Sequence, residues 1–365
     1  MKKFSTIALA FLLVIAPRSG IGQTKADSSS ASKSSGSPYT STDPVFPLHA
    51  SATVSVPSEL GGAFSTAKCD ANGNLFIRKA SLDRPLLAPV IKIDADGKRV
   101  ASFDPSAFSQ LALDRADAFS PAADGGIYQI AQRGVTKPDI YVIHFASNGD
   151  ASSPTHLDAD FEVYTFAAFA DGNFLVSGVR RDPGDKNDRG KNFSAVFTAD
   201  GRELAQLSFQ KDGAMSEQGG RKTNGGKIVP PDEVVPSLDL ADAEAGIDGY
   251  IYVMRRSAPA VVYVISATGS IMHTLKIPAP RASAKLMPGT LHVSGNQLAI
   301  SFASDEEIKQ WIVVVDAQSG RKVATYSDAG DLGSTFACYS SNDGVFTFLK
   351  LGEGNALEIV RASAQ

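Results

Sequence analysis

The chain has few of the residues and patterns that mark an enzyme. Its 365 residues include two cysteines, one tryptophan and five histidines. So few cysteines exclude a cysteine-dense scaffold and a four-cysteine zinc site, and leave room for one disulfide, Cys69 with Cys338. No Gly-x-Ser-x-Gly, His-Glu-x-x-His or Gly-x-Gly-x-x-Gly occurs. The nucleophile elbow, the zinc-protease helix and the dinucleotide-binding turn are therefore absent. Long hydrophobic runs are missing too. The longest, Ile7 to Ala16, falls well short of the roughly 20 residues that span a bilayer.

That short run follows Lys2 and Lys3 and precedes Gly20 and Gly22, the pattern of a secretory signal peptide over residues 1–22. Export to the periplasm or beyond is expected, with no transmembrane segment. Positive charge is also in short supply. Without the leader, 32 basic residues face 39 acidic ones, which argues against nucleic acid and against an anionic membrane surface. The expected partner is a small anionic molecule, a peptide or an envelope protein, and the expected state is a monomer. Residues 23–43 are Ser-rich with almost no large apolar side chain, so they read as a disordered linker ahead of a single domain over 44–365.

What the chain has in quantity is hairpins. Between Phe161 and Phe209, two apolar runs meet at Asp171-Gly172 and two more at Asp200-Gly201. Asp-Gly, Asn-Gly and Ser-Gly mark such joints because tight hairpins need positive φ, which glycine accepts. The same four-strand plan recurs about six times, with first-hairpin glycines at 73, 125, 172, 249, 295 and 344. One wider gap, between Gly172 and Gly249, holds a polar, Gly-rich insertion over 211–236.

A repeated four-stranded antiparallel unit predicts an all-β six-bladed β-propeller. The layout resembles the six-bladed propellers of the NHL and TolB-like type, in repeat plan only. The sixth unit supplies three strands, ending with ALEIVRA, while His49 to Pro57 alternates as a lone strand with no neighbouring partner. The N-terminal strand is therefore expected to complete the last blade and close the ring. Closure would bring Cys69 and Cys338 together across the seam, although sequence alone leaves open whether they come within bonding distance.

If the strands of each blade are called A to D outward from the axis, the A–B and C–D turns share one face. The long B–C and D–A connections share the other, and a ligand site is expected there. Strand B ends in a basic residue in several units: Arg78, Arg133, Arg180 and Arg181, Arg255 and Arg256, and Lys350. These are the candidate ligand-binding residues, a cationic ring suited to a carboxylate, phosphate or acidic sugar, with solvated strand ends as the plainer reading.

The five histidines, His49, His144, His156, His273 and His292, read as sheet positions rather than general bases. Residues 185–190 faintly match a calcium loop, but Arg189 stands where a ligand oxygen is required and no Glu closes it. No metal or other cofactor is expected, calcium being the one candidate. Asp94-Ala-Asp96-Gly97 reads as turn chemistry, Trp311 as packing between blades, and Tyr128, Tyr141, Phe174 and Tyr252 as core. No catalytic residue is assigned. The reading is an exported binding or scaffold protein, the alternative being a metal-assisted lyase or lactonase-like hydrolase.

Overall fold

Short polar turns cut this chain into strands, and the turns hold their shape through their own carboxylates. Asp94 Oδ1 accepts the backbone N–H of Asp96 at 3.0 Å and of Lys98 at 2.9 Å, and Asp171 Oδ1 accepts that of Asn173 at 3.0 Å. Gly172 and Gly201 sit at φ 87° and 88°, and the glycines of the other marked hairpins are likewise left-handed.

The computed structural model describes residues 43–56, 64–79, 86–116, 118–134, 138–159, 161–180, 191–209, 221–222, 228–229, 240–281, 286–304, 307–328 and 331–364. The leader, nearly all of the Ser-rich stretch, the calcium-like loop, Arg181 and most of the 211–236 insertion lie outside them.

β1 (Val45–Ser55) comes first. Then β2 (Phe64–Cys69), β3 (Leu75–Lys79), β4 (Val90–Ile93) and β5 (Arg99–Phe103) form an antiparallel sheet. A second holds β6 (Phe119–Pro121), β7 (Ile127–Arg133), β8 (Asp139–Phe145) and β9 (Thr155–Leu157). A third holds β10 (Glu162–Ala168), β11 (Phe174–Arg180), β12 (Lys191–Phe197) and β13 (Glu203–Gln206). β14 (Arg221–Lys222) and β15 (Ile228–Val229) pair only with each other. A fourth four-stranded sheet follows, of β16 (Leu240–Ala245), β17 (Ile251–Arg255), β18 (Ala260–Ile265) and β19 (Ile271–Ile277).

The remaining strands are β20 (Met287–Ser294), β21 (Gln297–Ser304), β22 (Glu307–Asp316), β23 (Lys322–Asp328), β24 (Thr335–Ser340), β25 (Val345–Leu351) and β26 (Leu357–Ala364). They join β1 in one eight-stranded sheet of order β20-β21-β22-β23-β1-β26-β25-β24. β1 links its two halves. Val45 to Pro47 pair in parallel with Thr325 to Ser327, and Leu48 to Ser55 pair antiparallel with Ala364 to Glu358. The strand expected at 49–57 thus begins four residues earlier and ends two earlier, because its first residues find a second partner in β23.

The result is an all-β, propeller-like arrangement. β2, β6, β10, β16, β20 and β24 touch one another in that order, and β24 returns to β2. The core lies between neighbouring sheets rather than at their centre. Phe161, Phe166, Phe174, Phe193 and Phe197 pack with Ile130, Ile140 and Val142 between the second and third sheets. Trp311 packs with Met254, Val262, Leu275 and Phe302 between the fourth sheet and β20–β22. Sheets covered on both faces need continuous apolar strands, which is why Ala260–Ile265 is buried at every position. Each such large side chain contributes about 1.5–3 kcal/mol by leaving water.

One contact recurs around the molecule. A Cβ placed on Gly149 would lie 2.8 Å from Ser102 O of β5, on Gly201 1.9 Å from His156 O of β9, and on Gly269 2.4 Å from Ala205 Cβ of β13. On Gly320 it would lie 3.5 Å from Leu275 Cβ of β19. In each case the second-hairpin turn of one sheet rests on the outermost strand of the sheet before it. The first sheet has no preceding sheet in sequence, and its Gly97 rests on Val54 of β1, at 2.7 Å.

One local element was not anticipated: residues Pro105–Leu111 form a 3₁₀ helix capped by Asp104, whose carboxylate accepts Ser106 N–H.

Candidate functional site

Innermost strands have a free edge, and its N–H and C=O groups must find partners at the axis. In β16 the alternation Asp242, Glu244 against Ala243, Ala245 directs both carboxylates one way. Asp242 Oδ2 accepts Leu291 N–H at 3.4 Å and Glu244 Oε2 accepts Val293 N–H at 2.7 Å, so two acids satisfy the edge of β20. From β2, the Lys68 ammonium donates to Ala243 O at 2.7 Å and stands 3.4 Å from Asp242 Oδ1. β2 and β16 lie three steps apart in the cycle of innermost strands, so Lys68 crosses the axis and obstructs it.

His292 completes this layer. It is buried, with Nε2 3.2 Å from Phe336 O and Nδ1 3.6 Å from Glu244 Oε2. Burial, the largest effect, lowers its pKa. Glu244, Asp242 and the Phe336 carbonyl together outweigh it and hold the imidazole above its ordinary 6.5.

Beyond the Lys68 layer, toward the first-hairpin turns, a cavity of about 700 Å³ opens on the axis. Turns 70–73, 120–123, 168–170, 244–247, 293–295 and 338–343 surround it. The Cys69–Cys338 disulfide forms part of its wall, with Cα atoms 5.6 Å apart. Much of the rest of the wall is small: Ala71, Ala95, Ala122, Ala123, Ala168, Ala170 and Gly73.

Polar groups ring the cavity, with no surplus of positive charge. Asn72, Asn342 and Asp343 are exposed at its rim. Arg361 donates to Ala95 O at 2.9 Å, and Asp70, 3.6 Å from Lys92, accepts the Asn72 and Asn74 N–H groups. Two tyrosines flank the space. Burial, with Tyr326 and Asp343 nearby, pushes the Tyr339 phenol up to about 12, and it donates to Gln297 Oε1 at 2.6 Å. Tyr128 is raised by burial, Asp124 and Asp171, and stacks on His144 with ring centroids 4.6 Å apart. Both phenols stay neutral, the Tyr339 proton being committed to Gln297.

The described candidate arginines have separate surroundings. Arg78 is buried and donates to Ser65 Oγ at 3.1 Å. Arg133 pairs with Asp139, Nε to Oδ2 at 3.1 Å, and Arg180 lies 4.2 Å over the Phe193 ring. Arg255 turns into the core against Tyr263, while Arg256 and Lys350 are exposed. These strand ends lie on the face opposite the cavity, so the described cavity is not on the long-loop face where a site was expected. Residues 181–190 and 230–239 lie outside the described residues.

Cys69, Glu244 and His292 place possible ligand atoms within 4.8 Å of one another. The Cys69 sulfur is bonded to Cys338 and Glu244 already accepts Val293 N–H, so the trio does not fit a metal ion. Of the other histidines, His144 pairs with Asp124 at 3.0 Å, and His49, His156 and His273 are exposed. Tyr252 and Phe174 are core as expected, whereas Tyr128 reaches the cavity. Sequence reasoning missed Lys68, Asp242 and Glu244. The available signal was charge inside the innermost strands FSTAKC and LADAEA, where a packed interior admits it only with a partner.

No protein-family model matches the chain, and no curated protein matches it in sequence. Among solved structures, it is similar to a protein of Bacteroides fragilis described as exported, at 9% identity and TM-score 0.50, covering 87% of this chain and 95% of that one. It is also similar to a TolB-type protein of Agrobacterium tumefaciens (13% identity, TM-score 0.45, 83% and 91% covered). Virginiamycin B lyase of Staphylococcus aureus matches at 14% identity and TM-score 0.45, with 88% and 100% covered. Similarity at this level concerns fold alone.

Proposed function

We propose that the protein is an exported six-bladed β-propeller, closed by its N-terminal strand and of the same plan as NHL and TolB-like propellers. In this reading it acts as a binding protein that takes a small, uncharged, polyhydroxylated molecule into the axial cavity. The carrying observation is the cavity itself. It measures about 700 Å³, within the range of small-molecule sites. Side-chain amides, an exposed carboxylate and neutral phenols beside small apolar walls suit vicinal hydroxyls and a sugar face better than an anion. Support for closure comes from the pairing of β1 with β26 and from the Gly97–Val54 contact, which repeats the arrangement between successive sheets. Support for export comes from the leader pattern and from a disulfide, which persists in oxidising compartments.

The test is a thermal-shift and NMR screen of neutral trisaccharides, neutral tripeptides and sugar acids against wild type and Ala122→Trp, which fills the cavity. A neutral trisaccharide should stabilise the wild type saturably and leave the tryptophan variant unmoved. A response confined to sugar acids, or one that survives in Ala122→Trp, would discard this reading.

A further inference from the structure

Arg255 ends β17 on the face opposite the cavity, and among the described residues its guanidinium has no hydrogen-bond partner. The residue is 2% exposed, and Nε, Nη1 and Nη2 are all buried without a hydrogen bond. A guanidinium does not lose its proton in a protein, so this is a buried charge, which is unfavourable unless something answers it. The arginines at equivalent strand ends are each engaged: Arg78 with Ser65, Arg133 with Asp139, Arg180 on the Phe193 ring.

The surroundings hold the group without neutralising it. The Tyr263 ring lies 5.5 Å from Cζ, and Phe209 packs on that ring with centroids 4.6 Å apart. Tyr263 and Phe209 share a core cluster with Leu207, Leu240 and Val261. With the Tyr263 ring under the guanidinium plane, the in-plane N–H groups, which bond to no described residue, are the donors that two oxygens of one ligand would take. Next in the chain, Arg256 is exposed, and the buried Ser257 hydroxyl donates to Pro259 O at 2.6 Å.

We propose that Arg255 anchors a second ligand site, separate from the axial cavity, for a small molecule bearing a carboxylate or phosphate head. The oxyanion accepts two parallel N–H bonds from the guanidinium and supplies the charge that the core withholds.

The experiment is thermal unfolding of the full chain in sodium phosphate or sodium acetate, titrated at constant ionic strength with chloride, for wild type, Arg255→Met, Arg133→Ala and Ala122→Trp. One or both anions should raise the wild-type midpoint saturably, and the one that does so names the head group. Arg133→Ala and Ala122→Trp should respond as wild type does. Arg255→Met should need roughly ten- to a hundredfold more anion, the loss expected for a charge-assisted pair. In chloride alone it should melt no lower than wild type, because an orphan charge has been removed. The proposal falls if neither anion gives a saturable rise in wild type, or if Ala122→Trp abolishes the rise, placing the anion in the cavity. It also falls if Arg255→Met melts lower in chloride, the pattern of a guanidinium already answered by a carboxylate of the chain.

Discussion

Lys68 of β2 donates its ammonium to Ala243 O of β16, 2.7 Å away across the axis of the molecule. With Asp242 beside it at 3.4 Å, this one side chain ties two distant parts of the chain, 175 residues apart, to each other.

Lys68→Met should therefore destabilise the protein although it adds no polarity. The substitution leaves a buried carbonyl without its donor and a mostly buried carboxylate without its counter-charge, worth about 1–3 kcal/mol. Urea unfolding reads this as a lower midpoint at unchanged slope. An unchanged midpoint would mean that water replaces the ammonium at no cost.

Two glycine substitutions separate backbone strain from sheet packing. Gly73 is left-handed with nothing within 4 Å of an added Cβ, so Gly73→Ala should lose about 1 kcal/mol. At Gly201 the Cβ would lie 1.9 Å from His156 O, and Gly201→Ala should lose about 3 kcal/mol or more. Equal midpoints for the two variants would refute the packing of that turn on β9.

Stability should fall as pH rises through the His292 transition. A histidine whose folded pKa exceeds 6.5 adds stability that is complete below 6.5 and is lost as pH climbs through the raised folded value. Measured across that window, His292→Gln should show a flatter decline than wild type. Parallel profiles would assign the pH dependence to other groups.

The disulfide closes a loop of 269 residues, and the Cys69→Ala, Cys338→Ala double variant should lose about 2–5 kcal/mol. Comparison of the variant with oxidised wild type by chemical unfolding checks this. If the two unfold together, the seam is held by packing alone.

Hairpin glycines and the apolar runs between them were legible because positive φ and continuous burial constrain residue type at each position. Asp171-Gly172 and the AVVYVI strand show both. β1 was legible as a lone strand, but not its second pairing with β23, because register depends on partners far away in sequence. The cavity was hidden for a similar reason. Its walls are alanines and turn glycines with no chemical signature, gathered from every part of the chain. Lys68 and Glu244 were visible as charges inside strands, yet only their placement across the axis explains them. The arginines of strand B were legible as a pattern, but their surroundings were not: Arg78 and Arg255 are buried while Arg133 pairs with Asp139 beside its own hairpin.

The account rests on β1 sealing the fold, and amide hydrogen exchange tests that most directly. If Leu48 to Ser55 is a strand of the closed structure, its amides bonded to β26 should exchange as slowly as those of β26 itself, opening only with global unfolding. Exchange of residues 48–55 at the rate of an unstructured peptide, with β26 still protected, would contradict it.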